Sequence, residues 1–307
     1  MRLRIAILAV ALAFAQPGTA VGFGESLRSS LRPLPDLSQL RCHQVHVARS
    51  DDGVTFRADS QPVLDAATAP DAVPDGNGLR LYVVNGEPGK HGIWTVRLED
   101  DGASWRRGSY EPIQIDGAVS GDIAQPDVLR LPDGRLRLYY YAGYFVTHQP
   151  KPFPGMVERP HRIMTAVSSD GVNFTGEGRA ILLDSAENPT VVPIGDGRYL
   201  LAVNQPKSRR ILIGISKESS RFVLNGAVLS GGAPELTMLA DGSLRLLHDV
   251  PGGFGSFRSR DGGRVWEAEA GLRLTSANPV AEPTAVNLGV AGWRLFYRAI
   301  KPGCTKS

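Results

Sequence analysis

Apolar and polar residues alternate with a period of two along much of the chain, as in Ile93-Trp-Thr-Val-Arg-Leu98 and Ile211-Leu-Ile-Gly-Ile215. That spacing builds strands with one covered face. No stretch carries a sustained helical period, so the pattern predicts a chain of short strands. Two signatures punctuate them. The first is a proline near a strand start, usually followed by a glycine-containing turn and a second strand. It occurs at Pro70, Pro126, Pro189, Pro234 and Pro283, which lie 56, 63, 45 and 49 residues apart. The second is a tight Asp-Gly-x-x-aromatic turn, read at Asp52–Phe56, Asp101–Trp105 and Asp170–Phe174. A degenerate copy ends at Phe222, and a copy one residue longer ends at Trp266. In such a turn Asp accepts local N–H groups and Gly takes positive φ.

The two signatures alternate, which predicts units of four strands, A to D. Strand A follows the proline, and the aromatic turn joins C to D. The unit length matches a propeller blade of roughly 40–50 residues. The chain opens with a C–D pair (residues 43–58) and closes with an A–B pair (residues 281–300). The expectation is therefore an all-β, five-bladed β-propeller over residues 42–304, its last blade completed by the N-terminal strands. Such closure removes open sheet edges. A β-sandwich is the other architecture such turns can serve.

The two cysteines sharpen this reading. Cys42 precedes the closing blade's C strand and Cys304 follows its B strand. A disulfide between them would stand where that blade lacks a B–C loop. It would also fit an oxidising compartment. The N-terminus agrees. Two arginines within Met1–Arg4 precede an apolar run, Ile5–Ala15, and then Gln16-Pro-Gly-Thr-Ala20. Residues 1–20 read as a signal peptide cut after Ala20, with Ala15 as the second position. Residues 21–41 read as an irregular lead-in. The expected destination is secreted or periplasmic, with no membrane attachment after cleavage. The other reading of the run is an uncleaved anchor.

Composition adds exclusions. In 307 residues, 34 basic and 31 acidic side chains leave a net charge of +3, without a basic stripe. That argues against a nucleic-acid partner. There is no His pair with metal-ligand spacing, no phosphate-cradling glycine loop and no Gly-x-Ser-x-Gly elbow.

Residues that recur from blade to blade read as scaffold: the turn aspartates, and Arg80, Arg137, Arg245 and Arg294, which share one register on strand B in four blades. Chemistry is sought where the repeat breaks. Around the five prolines stand Asp71, Asp127, Glu187 with Asn188, Glu235 and Glu282, and Gln125 precedes Pro126. Five A strands converging on an axis would gather these carboxylates, and crowded carboxylates have their pKa values pushed apart. The plainer reading is that each carboxylate caps backbone N–H groups at a strand start. The B–C loops reach the same face and bring His91, Arg209, Asp249 and a long insertion from Tyr144 to His161.

The blade count, the x-Pro-x strand starts and the turns resemble the five-bladed propeller glycoside hydrolases, the arabinanase, β-xylosidase and invertase–levansucrase group. The turns alone resemble the Asp-boxes of sialidases. The resemblance implies a carbohydrate substrate, hydrolysed by an Asp base or nucleophile, a Glu general acid and a second Asp that tunes the acid. It maps these roles onto Asp71, Glu235 and Asp127. Glu187, Asn188, Gln125, Glu282, His91, Tyr144 and His161 then contact substrate. In the group an Asp precedes the strand-A proline. Here Ala69, Gln125, Asn188, Ala233 and Glu282 hold that place, and three acids follow the proline instead. No cofactor is expected, an axial Ca²⁺ stays open, and the protein is expected to be a monomer. The alternative is a non-catalytic propeller that binds a glycan or a protein.

Overall fold

The structure, a computed structural model, describes residues 37–100, 105–144, 161–183 and 186–304. Five antiparallel sheets radiate from an axis. Blade 1 is Ala67–Asp75, Gly78–Asn85, Ile93–Asp100 and Trp105–Pro112. Blade 2 is Ile123–Arg130, Leu136–Ala142, His161–Ser168 and Asn173–Leu183, with Gln114–Ile115 added at its edge. Blade 3 is Glu187–Pro193, Tyr199–Gln205, Arg210–Ser216 and Val223–Ser230. Blade 4 is Pro234–Met238, Leu244–Val250, Gly253–Ser259 and Glu267–Ala268. Blade 5 is Val280–Asn287, Trp293–Ile300, His43–Ser50 and Arg57–Ala58. Each innermost strand touches the next one round, and that of blade 5 touches that of blade 1, so the wheel is closed. The predicted signal peptide and residues 21–36 of the lead-in lie outside the described residues. Leu37–Cys42 is a short 3₁₀ helix rather than irregular chain.

Closure is the predicted one. His43–Ser50 pairs with Trp293–Ile300 in unbroken register, from His43 opposite Ile300 to Ser50 opposite Trp293. Cys42 and Cys304 form a disulfide with Cα atoms 5.8 Å apart. Beside it the Lys301 N–H donates to the Cys42 carbonyl at 2.8 Å.

The arginines on strand B tie blade to blade. Arg245 makes a two-pronged contact with Glu269 at 2.7 and 3.0 Å, and reaches the Gly53 carbonyl of blade 5 at 2.7 Å. Arg137 grips Glu177 in the same way and reaches Glu218 and Ser219 of the blade 3 turn. Arg294 of blade 5 donates to Asp100 of blade 1. Arg80 binds Asp75 and lies against Gly171 of blade 2. Blade 3 carries Leu200 at this register, packed against Gly263 of blade 4. The arginines are therefore structural, as their recurrence implied.

The turns supply the receiving ends. Ser50, Ser168 and Ser259 donate to Asp52, Asp170 and Asp261 at 2.8, 2.9 and 2.8 Å. Each hydroxyl also accepts a glycine N–H, from Gly53, Gly171 and Gly263 respectively. A β-carbon on Gly171 would lie 2.8 Å from the Tyr82 hydroxyl, and its φ is +79°. Only glycine fits there. Apolar side chains fill the gaps between blades, among them Leu81, Val96 and Phe296 between blades 5 and 1.

Two stability tests follow. Replacing both cysteines by serine should lower unfolding free energy by about 2–5 kcal/mol with the β-sheet circular dichroism retained. An unchanged melting temperature would show that the bridge does not constrain the wheel. Arg245→Ala leaves Glu269 without its partner and should cost about 3–5 kcal/mol in urea unfolding. A loss below about 1 kcal/mol would refute the tie.

Candidate functional site

The axial site begins with a repeated distortion of strand A. In blades 1, 2, 3 and 5 the residue before the proline has a left-handed backbone: Ala69 (φ 47°), Gln125 (54°), Asn188 (48°) and Glu282 (56°). In each case the residue and its proline stand opposite a single residue of strand B. Ala69–Pro70 faces Val83, Gln125–Pro126 faces Tyr140, Asn188–Pro189 faces Val203, and Glu282–Pro283 faces Tyr297. These are β-bulges, which re-aim side chains. Their effect is that residues on both sides of the proline line the axis. Asp71 and Asp127 are thereby turned inward, although simple alternation would send them the other way; Glu235 of blade 4 lines the pocket from a strand without such a bulge.

Two layers result. The deeper one holds Asp71, Asp127, Thr190, Glu235 and Thr284, one from each blade at the position after the proline. Four of them accept a backbone N–H from the next blade. Asp71 accepts from Val128 at 2.7 Å, Asp127 from Val191 at 3.1 Å, Thr190 from Leu236 at 3.0 Å and Glu235 from Ala285 at 3.0 Å. Thr284 completes the circle by donating to Asp71 at 3.0 Å.

The deeper layer crowds three carboxyls. Asp71, Asp127 and Glu235 each place an oxygen within 4.8 Å of the others, and all three are buried. Burial raises all three pKa values: Asp71 to about 6, Glu235 to about 8, and Asp127 well above the usual range. Repulsion from Asp71 and Glu235 adds to the effect on Asp127. Thr284 Oγ1 lies 3.0 Å from Asp71 and 3.3 Å from Glu235, yet has one proton to donate. A proton held on one of the two carboxyls satisfies both contacts. Among the described residues these acids are the group that could hold a cation. Ca²⁺ takes roughly 6–8 oxygens. Three carboxyls, each already tied to a backbone N–H, supply fewer, so the donor set suits protons better.

The outer layer is Ala69, Gln125, Asn188, Ala233 and Glu282. Glu282 accepts from Thr68 Oγ1 at 2.7 Å and the Ala69 N–H at 2.8 Å, with Arg298 Nε at 3.6 Å. Burial works to raise its pKa, but Arg298 and these bonds hold it below the usual range. Burial and Arg298 keep neighbouring His43 neutral, with its pKa lowered to about 4. Gln125 accepts from the Asn188 N–H at 2.9 Å and donates to Glu187 at 3.4 Å. Asn188 donates to Asn204 at 2.9 Å. Tyr144 packs edge-on against Tyr141, beside Leu40 and Ala69.

Thus Asp71, Asp127, Glu235, Gln125, Asn188 and Glu282 line one pocket, with Glu187 hydrogen-bonded to its wall. His91 lies in the loop before Ile93 and is not among the lining residues. The side chain of His161, and most of the insertion before it, lie outside the described residues. The sequence reading missed Thr190, Thr284, His43 and Arg298. The two threonines share the register of Asp71 in the repeat, and that was the available signal. The pocket lined by the two layers has a volume of about 30 Å³, room for one water rather than a sugar ring.

No protein-family profile and no curated protein matches the chain. Solved structures do. A family 117 glycoside hydrolase from the marine bacterium Zobellia galactanivorans aligns at 14% identity over 85% of this chain and 91% of its own, with a TM-score of 0.54. An α-L-arabinofuranosidase from Lactobacillus brevis aligns at 14% identity over 78% and 86%, with a TM-score of 0.57. An exo-β-1,3-galactanase from Phanerochaete chrysosporium aligns at 10% identity over 83% and 64%, with a TM-score of 0.52. The chain shares with these enzymes the fold of the five-bladed propeller glycoside hydrolases.

Proposed function

We propose that this is an exported, glycoside hydrolase-like propeller that acts on a carbohydrate at its axial pocket. The observation that carries this is the convergence of three buried carboxyls with different proton affinities on one small space. Glu235, with a pKa near 8, keeps its proton at neutral pH and serves as general acid. Asp71, near 6, is ionised there and serves as nucleophile or base. Asp127 tunes the pair. Retaining enzymes hold their carboxyls about 5–5.5 Å apart and inverting ones about 6.5–9.5 Å. Which of the two roles Asp71 takes is read from the anomeric configuration of the released sugar. A substrate would approach from the outer layer, where Gln125, Asn188 and Glu282 line the pocket. The signal-like N-terminus and the disulfide support export. The activities of the solved relatives point to arabinosides, xylosides and galactosides as the substrates to try first, followed by fructosides and sialosides.

One observation favours a second reading, a propeller that binds glycan without cleaving it. Every carboxyl in the cluster is already tied to a neighbouring blade's N–H. Glu235→Gln separates the two, because glutamine keeps an oxygen for the Ala285 N–H. A hydrolase should lose at least about 100-fold in turnover on a chromogenic glycoside with little change in melting temperature. Unchanged turnover would overturn the assignment. Glycan binding without released sugar in the parent protein would establish the second reading.

The carboxyls also predict a pH dependence. Their pKa values are raised on folding, so between about 4 and about 8 the folded chain holds more protons than the unfolded one. Stability should therefore fall as pH rises through that window. Thermal melts from pH 4 to 9 should show the decline, and Glu235→Gln should flatten its upper half. Stability that rises across the window would mean the acids are ionised and paired.

A further inference from the structure

Beside the axial pocket, on the face shared by the B–C loops and the blade-to-blade connections, lies a cleft of about 340 Å³. Three segments form it. The blade 3 turn supplies Arg209, held left-handed at φ 52°. The blade 4 turn supplies Asp249 and Pro251, and the connection into blade 5 supplies Ser276, Asn278 and Pro279. The cleft and the pocket share a wall. Ala233 lines the pocket and donates its N–H to Asp249 Oδ1 at 2.6 Å. Val280 lines the cleft, and Glu282, two residues along the same strand, lines the pocket. Two residues of strand span about 7 Å.

The geometry points to this cleft as the seat of a second, neutral sugar unit of the glycan whose scissile bond enters the axial pocket. The substrate is then an oligosaccharide or the end of a polysaccharide. This rests on the carbohydrate reading above and deepens it. The volume falls within the roughly 300–1,000 Å³ of small-molecule sites. The lining offers one guanidinium, one carboxylate, an amide and a hydroxyl, which match vicinal sugar hydroxyls as donors and acceptors. Pro251, Pro279, Val250 and Val280 give apolar walls for C–H faces. An anionic unit would meet Asp249, and Glu282 stands close enough to raise the Asp249 pKa further, after burial. An apolar ligand would leave the charged lining unpaired.

The carboxylate is fixed by the chain around it. Besides the bond from Ala233, a β-carbon on Gly232 would come within 2.0 Å of Asp249 Oδ2, so a larger residue there would have to displace the carboxylate. The next glycine back, Gly231, makes the same room for His248, with a β-carbon at 2.7 Å from Nδ1.

Calorimetric titration with arabino-, xylo- and galacto-oligosaccharides of one to four units tests the assignment. For the series that binds, affinity should rise about tenfold or more from one unit to two or three. Arg209→Ala and Asn278→Ala alter exposed side chains and should erase that gain, so that the trisaccharide binds no tighter than the monosaccharide. A length-dependent gain that survives both substitutions, or a monosaccharide that binds as tightly as its trimer in the parent protein, overturns the second seat and leaves the axial reading standing. No binding at any length in any series overturns both.

Discussion

The architecture turns on how the inner edge of each sheet satisfies its backbone. Strand A has no partner on its axial side, and a buried N–H without an acceptor costs as much as a lost hydrogen bond. Here the account closes around the axis by two devices. Proline removes one donor from each blade, and side chains of neighbouring strands accept most of the others. Asp71, Asp127, Thr190 and Glu235 take the N–H groups of Val128, Val191, Leu236 and Ala285. Glu282, Gln125 and Asp249 take those of Ala69, Asn188 and Ala233. Polar residues at the hub are thus required by the wheel itself. The acids among them are the surplus from which chemistry can be made, since threonine meets the same need at Thr190.

That duality explains why the two functional readings lie so near each other. Each carboxyl caps an N–H with one oxygen, and in Asp71 and Glu235 the other oxygen accepts from a threonine hydroxyl. Three such groups at close range cannot all be ionised in a buried space. The hub consequently stores protons, whether or not a glycosidic bond is ever placed there to receive one. The outer layer behaves differently. Glu282 is balanced by Arg298 and stays ionised, so charge and proton-holding acid are separated by depth along the axis.

Much of the wheel was legible in the chain because repetition exposes it. Five prolines, five turns and a split last blade determine the count and the closure. The placement of Cys42 and Cys304 at the missing loop located the bridge. Arg80, Arg137, Arg245 and Arg294 recur at one register, and Arg137 and Arg245 reach turn residues of the neighbouring blade. The site was half legible. The acids were visible, but they follow the proline where the resembling group has its Asp before it, and one residue along a strand reverses a side chain's direction. Left-handed Ala69, Gln125, Asn188 and Glu282, and the bulges they form, undo that alternation in four blades, and nothing local in the sequence announces them. His43 escaped notice because it comes beside Glu282 only once the two ends of the chain share a blade, whereas Arg298 lies on the strand paired with that of Glu282.

The bridge between Cys42 and Cys304 has a topological consequence. With the termini of the domain joined through sulfur, residues 42–304 form an unbroken covalent hoop. A single cut in any connecting loop turns that hoop into a linear, rearranged chain whose five blades stay joined in one piece. The first nick therefore severs no blade from its neighbours, and release of a fragment requires a second.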